Sequence, residues 1–369
     1  MIADKTIRIG IIGAGFARTT QIPGFRNCKD ARIVAIASAH RERAEEVARE
    51  FGIDHVETDW RALVARDDVD LVSIVTPVVT HCEMALAALD AGKAVLCEKP
   101  MAMNAGESRR MADRACKAGV LALIDHELRF LTGRVKLHEL LRRGNIGKVR
   151  HVRLILRADS RADPDWPWNW WSDIKQGGGA LGAIGSHTID GFCWLLGAPV
   201  SEVCCNLATH VRQRKDQSGK MREVTTDDET NLLLRFADSE LTEGATGNAS
   251  LSMVEAGKPE HRLEIFGERG AYMIEDNALW QSRVGDGEWK RVETDPGELG
   301  SGMRDNDWAR GFTAFSCKIV AALRDGRATV EGAATFEEGY RTQLVLDAGR
   351  QSNESGCWEK SEPPAVAGG

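Results

Sequence analysis

Five short apolar runs in the first 126 residues constrain the fold of this chain more than any other feature. They lie at 7–13 (IRIGIIG), 31–38 (ARIVAIAS), 69–77 (VDLVSIVTP), 93–99 (KAVLCEK) and 119–126 (GVLALIDH). Each is nearly continuous rather than alternating, which is the pattern of a strand covered on both faces. Between them the spacing turns helical. Ala44, Val47, Ala48 and Phe51 fall at i, i+3, i+4 and i+7, and Gly52 follows as a stop. Strand alternating with helix builds a parallel sheet with right-handed crossovers. The expected fold class is α/β, with a first domain over 1–126.

Beyond residue 126 the periodicity changes. One helix is expected at 132–143, and then VRHVRLILRAD places Val152, Leu154 and Leu156 on one face at period two. Further β-rich stretches at 202–212, 230–237, 247–254, 261–274 and 278–284 predict an α+β domain over 127–369, built on a large, mostly antiparallel open sheet. Helices are expected at 308–324 and 334–350, the second packing back on the N-terminal domain. A length of 369 residues exceeds what one core usually supports, which agrees with two domains.

Composition narrows the function. A net charge of −7 lacks the basic face that nucleic acid requires. No apolar run approaches the ~20 residues of a membrane helix, and the first apolar stretch is short and broken by glycine. The expected location is therefore the cytoplasm. Nine cysteines without a C-x-x-C spacing read as reduced thiols, and no Cys/His clustering suggests a metal.

The first strand runs into Gly13-Ala14-Gly15-Phe16-Ala17-Arg18, the opening of a G-x-G-x-x-G fingerprint placed after a strand and before a helix. Its glycines let the backbone turn tightly and approach a pyrophosphate held by free helix amides. This makes 1–126 a Rossmann domain for NADP or NAD, with Gly13, Gly15, Phe16 and Ala17 at the phosphates. Arg18 stands where a third glycine is usual, so its helix sits away from the sheet or its guanidinium faces the phosphates. The second strand ends in Ser38-Ala39-His40-Arg41 instead of a carboxylate for the ribose hydroxyls. Ser38 followed by His40, Arg41 and Arg43 favours the 2′-phosphate of NADP over NAD, the alternative being that these arginines are only the solvated first turn of a helix.

The combination of GIIGAGF, TPVVTHCEMALAALDAGKAVLCEKP and GGGALGAIGSHTIDGFCWLLG resembles the glucose-fructose oxidoreductase/inositol dehydrogenase family, Gfo/Idh/MocA. The resemblance implies an NAD(P)-dependent oxidoreductase acting on CH–OH groups of a sugar, polyol or related carbonyl compound. It also implies a homodimer or homotetramer assembled through the C-terminal sheet. Lys99 of Glu98-Lys99-Pro100 matches the family's lysine beside the nicotinamide, where an ammonium favours a developing alkoxide. Glu98 would reach the nicotinamide ribose or position Lys99, and Thr76 and Pro77 match residues lining the nucleotide.

His187 matches the second catalytic residue implied by the resemblance. The aspartate that family members often carry four residues earlier is Ala183 here. Asp190 lies one turn beyond His187 and is a candidate to orient it. The glycines at 177–179 let the chain pass close to something. Just before them, Asp165-Trp166-Pro167-Trp168-Asn169-Trp170-Trp171-Ser172-Asp173 gathers four of the ten tryptophans. This segment is either an aromatic wall for a sugar ring, with Trp171, Asn169 and Asp173 touching a polyhydroxy substrate, or a packing contact. His126, at the end of the fifth strand, is a further substrate candidate, and His81 a weaker one. The rival to an enzyme is a catalytically silent NAD(P)-binding sensor or regulator of the same fold, suggested by Ala183 and Arg18.

Overall fold

The computed structural model describes residues 5–362. It resolves into two compact units, the first made of residues up to Ala102, Gly106–Leu131 and Gly297–Gly339, the second of Met103–Ala105, Thr132–Pro296 and residues from Tyr340 onward. This is not a single division near residue 126, because the chain returns to the first unit late.

In that unit the strands are β1 (Ile7–Ile12), β2 (Ala31–Ala37), β3 (His55–Glu57), β4 (Leu71–Ile74), β5 (Ala94–Cys97) and β6 (Ala122–Ile124). They lie in the order β3-β2-β1-β4-β5-β6, all parallel, and the short strand Ala334–Thr335 adds antiparallel to β6. The side chains explain the burial on both faces. Ile7, Ile9 and Ile11 of β1 are fully buried, and so is Ile12 on the opposite face. Each such side chain contributes roughly 1.5–3 kcal/mol relative to exposure. The helix Arg41–Phe51 ends where Gly52 turns left-handed at φ 66°, as its sequence requires.

The returning segment is part of this core. Asn306 opens the helix Asp307–Arg324 by accepting the Ala309 amide at 2.9 Å. Phe312 meets Phe25 edge-on with ring centres 5.3 Å apart, and Phe315 stacks on Phe130 at 4.4 Å. Gly24 is required there, since a β-carbon would lie 2.4 Å from the Phe312 ring.

The second unit carries a nine-stranded sheet whose centre is Glu260–Gly267, Val149–Arg157, Thr242–Ser252 and Glu229–Phe236. All its pairings are antiparallel except that of Val149–Arg157 with Thr242–Ser252. The β-rich stretch at 261–274 is a hairpin, Glu260–Gly267 with Gly270–Glu275, turning at Glu268 and Arg269. The expected 202–212 strand ends at Ala208, and Gln213–Lys215 forms a separate two-stranded ribbon with Met221–Glu223. Val152, Leu154 and Leu156 face the core, as their period-two spacing predicts. The other face mixes charged and polar side chains with Ile155 and Phe266. Arg153 pairs with Glu264 at 2.6 Å, His151 contacts Thr246 and Asn248 at 2.9 Å each, and Arg157 donates to Ser250 at 2.8 Å. The late helix runs Phe336–Ser355, longer than 334–350, and spans both units. No helix among the described residues is long and apolar enough to cross a membrane.

Candidate active site

The nucleotide end begins where β1 stops. Gly13 adopts φ 113° and donates its amide to the Ala37 carbonyl at 2.8 Å, which locks the turn between β1 and β2. A β-carbon on Gly13 would lie 2.1 Å from the Val75 carbonyl oxygen, so this glycine serves the fold itself. Gly15 differs: the space before it is open to 4 Å, it is exposed, and Phe16 beside it is 42% exposed. An open, exposed glycine face at the start of a helix fits a dinucleotide pyrophosphate.

The next turns are unusually wide, of π type over Ala17–Gln21, before the short helix Ile22–Arg26. Arg18 does not turn to the phosphates. Its guanidinium pairs with Glu46 at 2.9 Å and Glu50 at 2.7 Å on the helix after β2, and these contacts account for a charged residue at the third glycine place. At the ribose end, the Ser38 hydroxyl accepts the His40 amide at 3.2 Å, and Arg41 pairs with Glu45 one turn on at 2.8 Å. The charge on which a 2′-phosphate would depend already has an acidic neighbour.

The strand tips of β4 and β5 are tied together. Buried His81 sets its ring nitrogens 2.9 Å from the Thr76 carbonyl and 3.1 Å from that of Pro100. Burial pulls its pKa below the ordinary histidine value, against the opposing pull of the carbonyl contacts. Thr76 shares a 2.7 Å hydroxyl contact with Thr80, and Pro77 opens the following turn. The Lys99–Pro100 bond is cis. Lys99 is half-buried, with its ammonium 5.8 Å from the centre of the Trp308 ring.

Glu98 points inward. Its Oε1 accepts from the Gln21 side-chain amide at 2.8 Å, and its Oε2 accepts the Lys99 backbone N–H at 3.3 Å. The same Gln21 nitrogen donates to Asp125 at 2.9 Å, and Ser73 donates to Gln21 Oε1. Burial pushes the Glu98 carboxyl up and, with the charges of Glu127 and Glu98, pushes Asp125 well above the carboxylate range. Two acids on one amide in a dry pocket cannot both ionise cheaply, so the pair holds a proton. Gln21, Asp125 and Trp308 are thus parts of the lysine's surroundings that the sequence motifs do not mark. His126, next to Asp125, is buried at the end of β6.

In the second unit, a wide π-type turn over Leu181–Gly185 leads into the helix Ser186–Leu196, which carries His187 and Asp190, both buried. Ala183 lies in that turn, packed with Trp171 and Ala180. What the glycines approach is the unit's own backbone and an acid. A β-carbon would lie 2.2 Å from the Trp171 carbonyl at Gly178 and 2.3 Å from Asp227 Oδ1 at Gly179. Asp227 accepts the Leu181 amide at 2.6 Å and the Thr230 hydroxyl at 2.7 Å, and so fixes the turn.

The tryptophans do not form one wall. Trp171 is buried, whereas Trp166 and Trp170 are largely exposed. Arg161 lies over both Trp166 at 5.2 Å and Trp171 at 4.7 Å, and Arg222 covers Trp168 at 4.0 Å. Asn169 accepts the Trp171 amide at 2.9 Å; Asp173 accepts the Lys175 amide at 3.0 Å and the Gln176 side chain at 3.2 Å. Both therefore shape the turns around Trp171.

Comparison with known proteins agrees with this layout. Residues 7–126 match an oxidoreductase family with an NAD-binding Rossmann fold, and 135–273 match the GFO/IDH/MocA C-terminal domain. Levoglucosan dehydrogenase of Pseudarthrobacter phenanthrenivorans is 29% identical over 96% of this chain and 98% of its own. Myo-inositol 2-dehydrogenase of Thermotoga maritima is 29% identical over 72% of this chain and 74% of its own. A solved levoglucosan dehydrogenase in complex with NADH and L-sorbose superposes with a TM-score of 0.87 at 25% identity, covering 98% of this chain and 100% of that one.

Proposed function

We propose, from the premise that this chain belongs to the GFO/IDH/MocA oxidoreductase family, that it interconverts an alcohol and a carbonyl on a sugar or polyol using NAD(H). The single observation carrying this reading is the lysine at the tip of β5, half-buried and set against an aromatic ring in a domain with an open glycine turn. The substrate class is supported by relatives that are dehydrogenases of an anhydrosugar and of inositol. When bound, the nicotinamide would supply the hydride acceptor or donor.

The chain's own residues supply the remainder. Gly13 and Gly15 shape the phosphate turn, with Thr76 and Pro77 at the neighbouring strand end. Lys99 holds the reacting oxygen and stabilises negative charge on it. His187 is assigned the proton released from that oxygen, Asp190 its orientation, Trp171 the aromatic surface for the sugar ring, and Asn169, Asp173 and His126 the substrate hydroxyls. NAD(H) is preferred here over the NADP(H) suggested by the basic residues after β2, because Arg41 is engaged by Glu45. A homo-oligomer assembled through the nine-stranded sheet completes the proposal.

The test is reduction of NAD by a panel of aldoses, inositols and anhydrosugars. Lys99→Met is expected to lower kcat/KM by at least ~100-fold while NADH binding stays within a few-fold of wild type. Turnover unchanged in that variant would refute the assignment. Titration of NADH against NADPH decides the cofactor, and tighter NADPH binding overturns that part alone.

A further inference from the structure

Two cysteines of the first unit, 289 positions apart in sequence, meet in space: the sulfurs of Cys28 and Cys317 are 3.0 Å apart. A disulfide needs about 2.05 Å, so a sub-ångström to ångström shift of either side chain brings them into bonding range. We propose that Cys28 and Cys317 are an oxidisable dithiol, a modification site where a hydroperoxide converts the pair to a disulfide joining the end of the first helix to the helix Asp307–Arg324.

The two thiols are unequal in the way such a reaction requires. Cys317 is exposed on its helix and Cys28 is buried. Cys28 is held in place, its sulfur 3.5 Å from the Ser316 hydroxyl and 3.6 Å from the Gly24 carbonyl, while Ser316 itself donates to Gly24 at 3.2 Å. The contact with Cys28, with help from Ser316, brings the Cys317 pKa down to about 7, whereas the contact with Cys317 and burial push Cys28 up. The accessible sulfur is thus the nucleophile, and the buried one keeps its proton until it resolves the intermediate.

The step balances. The Cys317 thiolate attacks one peroxide oxygen, forming S–O and breaking O–O, and the departing oxygen takes a proton to leave as water from hydrogen peroxide. Cys28 then attacks the sulfenic sulfur; S–S forms, S–O breaks, and hydroxide leaves with the Cys28 proton as a second water. Two thiols are oxidised and one peroxide is reduced. Reduction by a dithiol reverses the change.

Fully reduced protein treated with one equivalent of hydrogen peroxide, then digested without reductant and analysed by mass spectrometry, tests this. The expected result is a Cys28–Cys317 linked peptide, loss of two of the nine free thiols, and recovery of both with dithiothreitol. The rate should fall about tenfold per pH unit below neutrality as the attacking thiolate protonates. Cys28→Ser should leave Cys317 as a dimedone-reactive sulfenic acid, and Cys317→Ser, at an exposed position, should leave Cys28 unreacted. Unmodified thiols, over-oxidation of Cys317 in the wild type with Cys28 free, or a disulfide between chains would each overturn the proposal.

Discussion

Glu98 and Asp125 grip the same amide nitrogen of Gln21 in a pocket closed to water. Both carboxyls have pKa values raised in the folded state, so the stability they contribute is fully present below the ordinary carboxylate value near 4 and lost as pH rises through the elevated one. Asp125→Asn keeps the shape and removes the titration. Its stability relative to wild type should therefore improve as pH rises from about 4, by up to ~1.4 kcal/mol per unit across that window. Denaturant titrations at several pH values measure this, and a pH-independent difference would contradict the shared proton. Lys99 could be read from the sequence because its neighbours Glu98 and Pro100 are contiguous with it. The acid pair could not, since Gln21 stands 77 residues before Glu98 and 104 before Asp125. Only the sheet order brings the three together.

At the scale of elements, the two fingerprint glycines separate folding from binding. Gly13→Ala places a β-carbon against the Val75 carbonyl in a left-handed backbone, and should cost several kcal/mol, on the order of 2–4. Gly15→Ala enters open space; it should leave the thermal midpoint within a few degrees of wild type yet weaken NADH binding by about tenfold or more. Calorimetry paired with cofactor titration distinguishes the two, and equal stability losses would contradict the division. The parallel strands were legible because both-face burial leaves continuous apolar runs. β3, only His55–Glu57, was not, as three residues at a sheet edge carry too little pattern. The hairpin turn at Glu268–Arg269 was legible in part, since Glu268-Arg269-Gly270 is a turn signal set between two apolar stretches.

For the whole molecule, Leu233 lies on the face of the nine-stranded sheet away from its core, 52% exposed and paired with Asn248 on one neighbouring strand and Cys204 on the other. If copies associate through this face, light scattering should give a multiple of 40.4 kDa, and Leu233→Asp should shift the mass toward a single chain. A wild-type mass of one chain at micromolar concentration would contradict it. The two-part architecture was legible from the change of period near residue 126, but the discontinuity was not. A helix pattern at 308–324 shows an apolar stripe without showing which core receives it.

That discontinuity governs the order of events during synthesis. Phe25 and Phe130 emerge from the ribosome long before Phe312 and Phe315, the rings that cover them. Until about 180 residues beyond Phe130 have been translated, the nascent N-terminal half carries an uncovered aromatic patch, and it is a natural client for chaperones over that interval.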